Sequence, residues 1–242
     1  MSATLATLYR AIRRLHVMDV TCLLHATSEP SNGGDDARIV HAGSDGLSFR
    51  AIGEDELQQL RREGLIDSTV GTGVAHTNRT TDHDSGDQWL YGVWKQDCVI
   101  AFVWVATGYI PASENYSRSV HLGSSLTMPP HCGFLFNAWT DPEHRGRGLM
   151  AALLRKLTVE DALNLNLHDW FATTDWTNIA SQRTFQKSGF ERVGRLYRLG
   201  RGRMQASLVP DLERRMKATL LLDAVRQKPQ IASDAPGLRW SL

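Results

Sequence analysis

The sequence predicts an α/β fold, a mixed and mostly antiparallel twisted sheet with helices on both faces. Three observations predict it. Residues 89–95 and 99–107 alternate like strands around the turn Gln96-Asp97, which makes them a hairpin. An apolar run at 132–140 enters a short basic glycine loop, and an amphipathic run at 151–167 leaves it, so a strand feeds a helix. A second strand–helix pair follows at 170–176 and from Asn178 onward, and a terminal hairpin, 190–199 and 203–208, turns around Gly200-Arg201-Gly202.

Bulk properties narrow the class. A chain of 242 residues buries a full core. Lys plus Arg number 27 against 26 Asp plus Glu, so no excess charge points to nucleic acid or to an acidic partner. Cys22, Cys98 and Cys132 are odd in number, far apart and not spaced as metal ligands, which fits reduced thiols in the cytoplasm. No apolar run reaches the length of a membrane span. Arg10, Arg13 and Arg14 lack the apolar core and cleavage site of a signal peptide, so Asn78-Arg79-Thr80 and Asn115-Tyr116-Ser117 are chance sequons.

Taken in order, residues 3–18 place Leu5, Leu8, Ile12 and Leu15 at helical spacing with no acid before Asp19. Such a helix docks on the body, on a partner subunit in a homo-oligomer, or on a membrane surface; we favour the first two. A strand at 20–26 and a loop at 31–36 complete an appendage over residues 1–45. The body, 46–208, opens with a strand at 47–52 and a helix at 53–63 that Gly64 stops. Residues 67–88 read as a polar loop. His76, Asp82, His83 and Asp84 within it match no metal spacing, and no metal is expected. The hairpin aromatics Trp89, Tyr91, Trp94, Phe102 and Trp104 read as core. The connection 109–130 carries Pro111, Pro129 and Pro130 and one strand at 119–127. It is either an edge hairpin or a functional insertion. Leu149, Leu153, Leu154 and Leu157 give the following helix one buried face. Residues 209–242 read as a helix, 210–227, and a tail.

The chemistry concentrates at Asp141-Pro142-Glu143-His144-Arg145-Gly146-Arg147-Gly148-Leu149-Met150. The first N–H groups of a helix have no intrahelical partner, and the helix dipole adds positive charge there. Gly146 and Gly148 let an anion approach the backbone, while Arg145 and Arg147 add charge and donors. No Lys-Ser/Thr follows, so this is not a P-loop. Gly146-x-Gly148-x-x-Ala151 meets a relaxed dinucleotide fingerprint, but the acid that should end the next strand lies before it, at Asp169.

Arg145 to Met150 resembles the pyrophosphate loop of the GNAT superfamily of acyl-CoA-dependent N-acyltransferases, Arg/Gln-x-x-Gly-x-Gly/Ala. Met150 departs from the small residue usual there. Asn178-Ile179-Ala180-Ser181-Gln182-Arg183-Thr184-Phe185 followed by Lys187-Ser188-Gly189-Phe190 resembles that family's later segment, with Phe where a Tyr is common. The resemblance implies a GNAT-like fold with a splay between the strands 132–140 and 170–176. It implies acetyl-CoA, or another acyl-CoA, with its pyrophosphate on Arg145, Gly146, Arg147, Gly148, Leu149 and Met150. The acyl carbonyl would lie by the backbone of Ala138, Trp139 and Thr140, and the pantetheine arm near Asn178. As an isolated residue, Asn178 caps a helix equally well.

The implied activity is transfer of an acetyl group to a primary amine, of a small molecule or a protein, by direct attack on the thioester. No catalytic residue is assigned. The strand 132–140 holds no Asp or Glu, His131 lies at its start, Asp175 reads as a turn residue, and Phe185 lacks the hydroxyl that protonates a departing thiolate in many relatives. Two alternatives stand beside this reading. One is transfer from a long-chain acyl-CoA or acyl carrier protein, with arginines of the last hairpin as its dock. The other is a non-catalytic acyl-CoA- or partner-binding module.

Overall fold

The computed structural model describes residues 3–13, 15, 18–28, 46–65, 87–112, 114–116, 122–201 and 204–208. Among these residues, ten strands and five α-helices run in the order α1 (Ala3–Arg13), β1 (Met18–Thr27), β2 (Leu47–Ala51), α2 (Glu54–Arg62), β3 (Gln88–Lys95), β4 (Cys98–Ala106), β5 (Tyr109–Ile110), β6 (Leu126–Thr127), β7 (Cys132–Thr140), α3 (Leu149–Arg155), α4 (Ala162–Leu165), β8 (Asp169–Asp175), α5 (Ile179–Lys187), β9 (Glu191–Arg201) and β10 (Met204–Leu208). Eight strands form one sheet in the order β10-β9-β1-β8-β7-β4-β3-β2, and β5 pairs with β6 apart from it. Every pairing is antiparallel except that of β7 with β8. The predicted fold class is therefore the observed one.

The sheet is buried on both faces, as the continuous apolar runs of β1 and β4 require. One face packs Cys22, Leu24, Val103, Leu135 and Trp170 under Leu149, Leu153, Leu154 and Leu157 of the helical run and Phe185 of α5. The other packs Leu23, Phe102, Trp104, Phe134 and Phe136 under Leu57 and Leu60 of α2 and under Ile110, Leu126 and Met128 around the 109–130 connection. Of the hairpin aromatics, Trp89 is half-buried and the other four are buried. The helical run 151–167 is in pieces: a π-helical stretch, Lys156–Glu160, separates α3 from α4 and keeps Leu157 buried.

Two elements lie elsewhere than expected. The strand assigned to an N-terminal appendage is β1, third from one edge, where it joins β8 to β9. Val20 to Leu24 are all buried, and a strand apolar on both faces belongs inside a sheet. Of the strand expected over 119–127, residues 119–121 lie outside the described residues and only Leu126, buried, and Thr127, exposed, form a strand among the rest. The loop 31–36, most of 67–88 with His76, Asp82, His83 and Asp84, and the segment 209–242 lie outside the described residues. No described helix is long and apolar enough to cross a membrane.

Candidate active site

The parallel strands β7 and β8 pair only from Cys132↔Asp169 to Leu135↔Ala172. Beyond that point β7 runs on to Thr140 and β8 to Asp175 with no further pairing between them, so a cleft opens between their carboxyl ends. The cause is written into β7. Phe102 of β4 opposes Trp139, but Trp104 opposes Phe136, so Asn137 and Ala138 together face Val103. Two residues against one is a β-bulge, and a bulged strand bends and twists away from its neighbour. Asn137 takes the left-handed conformation, φ 46°, which Asn tolerates better than most residues. Asn137 and Ala138 are exposed, and Trp139 stacks on Phe102 at 5.2 Å between ring centroids.

From Thr140 the chain enters the basic loop. The Asp141 N–H donates to the Ile100 carbonyl, anchoring the loop to β4. The Asp141 carboxylate accepts the Glu143 N–H at 2.7 Å. That bond, with help from His144, holds the carboxyl below its usual range. The Arg145 Nε donates to the Thr140 carbonyl at 3.0 Å, and Arg147 reaches the Glu143 carbonyl at 3.4 Å. Gly146 and Gly148 adopt φ of 78° and 79°, and a Cβ added to either would meet nothing within 4 Å. The first helical bond runs from the Ala152 N–H to the Gly148 carbonyl. The N–H groups of Leu149, Met150 and Ala151 therefore precede the hydrogen-bonded ladder at an exposed, glycine-lined, doubly arginine-flanked turn. The Met150 side chain packs half-buried against the core.

On the far side of the cleft, Asp175 ends β8. Its Oδ1 accepts the Thr177 N–H at 2.7 Å and the Thr177 hydroxyl, a turn-closing geometry. Asn178 is exposed and caps α5, accepting the Ser181 N–H at 3.1 Å. Gln182 donates to the carbonyls of Asp175 and Trp176. Phe185 is buried, edge-on to Phe190 at 5.0 Å. The Ser188 hydroxyl donates to the Ala151 carbonyl at 3.3 Å, which ties α5 to α3. The expected residues therefore fall in two groups: Ala138 to Met150 on the β7 side, and Asn178 with Phe185 on the β8 side. His131 belongs to neither. It lies at the opposite end of β7, its Nδ1 3.0 Å from the Asn166 carbonyl oxygen.

Sequence reasoning missed two features. The bulge at Asn137 carries no signal in an otherwise apolar strand. Arg198, one of the last-hairpin arginines read as a dock for a carrier, is almost fully buried. Its guanidinium donates to Asp19 at 3.2 Å, Thr21 at 3.3 Å, Asn115 at 2.9 Å and Ser124 at 2.9 Å. Burial pulls its pKa down while Asp19 opposes the shift. The Arg198–Asp19 pair joins partners 179 residues apart, which no local pattern reveals.

The sequence model of the acetyltransferase (GNAT) family matches residues 56–190. No match is found among curated proteins. Among solved structures, a GCN5-related N-acetyltransferase from Kribbella flavida is 12% identical over 80% of this chain and 63% of its own, with a TM-score of 0.42. An acetyltransferase of the GNAT family from Colwellia psychrerythraea is 12% identical over 83% of this chain and 61% of its own, with a TM-score of 0.40. The chain thus spans less than two thirds of the length of either protein.

Proposed function

The chain belongs to the acetyltransferase (GNAT) family, and from that premise we propose that it is an N-acetyltransferase, moving an acetyl group from acetyl-CoA to a primary amine. The observation that carries this reading is the cleft opened by the Asn137 bulge, with a glycine-lined helix start at one wall. The chemistry fits the donor. A pyrophosphate needs backbone N–H groups without partners and room for its oxygens, and the turn 145–150 offers both. In this reading Arg145 and Arg147 supply charge, and Asn178 meets the pantetheine arm.

The bulge turns the backbone of 137–140 out of the regular ladder. An N–H of Ala138, Trp139 or Thr140 would then stabilise the negative charge that grows on the thioester oxygen as the amine attacks. The C–N bond forms, the C–S bond breaks, and CoA leaves as its thiolate. Phe185 cannot protonate that thiolate, and a thiol of ordinary pKa, about 8.5, leaves acceptably without help. The amine loses its proton to solvent or a relayed water. Holding donor and amine in line across the cleft supplies most of the acceleration. In this reading the protein works in the cytoplasm, where Cys22, Cys98 and Cys132 would stay reduced.

Calorimetry with acetyl-CoA and with a long-chain acyl-CoA tests the proposal, with Gly148→Glu as control. Saturable acetyl-CoA binding, lost in the variant, supports it. Preference for the long chain moves the reading to lipid or carrier substrates, and no binding of either leaves a non-catalytic module.

A further inference from the structure

The described part of the 109–130 insertion is tied to the sheet by buried polar contacts: the Gln88 amide donates to the Glu114 carboxylate at 2.6 Å, and Asn115 bonds two strands at once. The Asn115 Oδ1 accepts from the Thr173 hydroxyl at 3.0 Å and from Arg198 at 2.9 Å, while its Nδ2 donates to Ser124, to the carbonyl at 2.8 Å and to the hydroxyl at 3.2 Å. Thr173 is the first residue of β8 past its last pairing with β7, so this knot lies at the root of the cleft. Asn115 is itself almost fully buried, and Arg198 behind it is held by Asp19 and Thr21. Ile110, Leu126 and Met128 pack the rest of the insertion onto the same face, opposite the one that carries α3 and α5.

The two sides of the cleft on that face differ in chemistry. The β7 side is aromatic: Phe136 stacks with Trp104, and the half-buried Trp139 stacks on Phe102. The β8 side is polar, with Thr173 and Asn115, and by strand register the Asp175 carboxylate falls on this face too, since it opposes Thr21. The Arg198 cation is neutralised by Asp19, so the wall carries no uncompensated positive charge from it to repel an ammonium group.

We propose that the described residues of the insertion form part of the acceptor-side wall of the cleft, that Asn115 is a positioning residue that holds them there, and that the pocket so made takes a primary amine carried on an aromatic or apolar body. The amino group lies toward Thr173 and Asp175 and the body against Trp139. This rests on the acetyltransferase reading above.

The test uses the full chain with acetyl-CoA as donor and tryptamine and glucosamine as probe amines. Tryptamine is expected to give a kcat/KM at least about tenfold above glucosamine, roughly one buried aromatic contact. Thr173→Val and Asn115→Ala are each expected to raise the KM for tryptamine about fivefold, one lost hydrogen bond, while the KM for acetyl-CoA stays within about twofold. A structural defect would move both KM values, so parallel changes in the two overturn the proposal. No change in either KM, or no preference for tryptamine in the parent protein, overturns it too. If Asn115→Ala does not fold, Thr173→Val alone decides. Failure of acetyl-CoA to bind the parent protein in the calorimeter removes the underlying acetyltransferase reading; binding without the amine preference removes only this inference.

Discussion

The two walls of the cleft are built on opposite principles. The basic loop from Arg145 to Gly148 is exposed, and helix N–H groups follow it ahead of the hydrogen-bonded ladder. The knot of Asn115, Thr173, Arg198 and Asp19 is closed, its buried polar groups joined by hydrogen bonds and an ion pair. The first is poised to gain a partner and the second already has its own. A mutation in the loop should therefore weaken ligand binding with little loss of stability, and loss of the Arg198–Asp19 ion pair in the knot should cost stability first.

The largest effect expected is from Asp19→Ala. It leaves Arg198 buried without its counter-ion, and stability measured by urea unfolding should fall by about 3–5 kcal/mol. Gly148→Glu comes next. It puts a carboxylate and a left-handed β-carbon at the proposed anion site, and acetyl-CoA affinity should drop on the order of 100-fold, about 2.7 kcal/mol. An equal loss of melting temperature in the two variants would erase the contrast between the walls. Asn137→Val tests the bulge, because a β-branched residue at φ 46° is strained by about 1–2 kcal/mol. Its turnover should fall more than its acetyl-CoA affinity, since the backbone donors move while the proposed phosphate loop does not.

Two smaller effects concern pH. Burial pushes the Cys132 thiol and the Tyr91 phenol each up to about 12, with Asp169 and Asp161 adding to it. The folded state thus keeps protons that the unfolded chain loses. Their contribution to stability is complete below the ordinary values of 9.0 and 10.0 and is lost as pH rises toward about 12. Tyr91→Phe should flatten the alkaline unfolding curve above pH ~10. The smallest effect is at Glu56, whose carboxyl is held low chiefly by Arg50 and also accepts the Gly53 N–H at the start of α2. A depressed carboxyl stabilises above its unfolded pKa and loses that contribution as pH falls. Glu56→Gln should cost about 0.5–1 kcal/mol at neutral pH, and the difference should vanish in acid.

What could be read in the chain followed the range of the forces involved. The β3–β4 hairpin is set by a two-residue turn, and the loop from Arg145 to Met150 by glycines at its second and fourth positions ahead of a helix, so both were legible. Asn178 was legible as a cap because a cap is a local bond. The bulge was not, since it exists only as a mismatch of register between β4 and β7. The burial of Arg198 was not legible either, because nothing around it in sequence announces Asp19 and Asn115. The place of β1 was lost for the same reason: its apolar residues reveal burial, but its partners β8 and β9 lie at the other end of the chain.

That placement of β1 fixes the order in which the protein can be completed during synthesis. The residues of β1 leave the ribosome ahead of every other described strand, and they pair with β8 and β9, which follow much later. Until then β1 holds an apolar face and two unpaired edges open, the condition that favours pairing with a neighbouring chain. β9 meets the rest of the main sheet only through β1 and β10, so trimming the chain ahead of β2 would detach the final hairpin along with the first strand. Long-range closure of this kind slows folding, because loop entropy is spent before the pairing returns it. Refolding should be slow and concentration-sensitive even where the finished protein is stable.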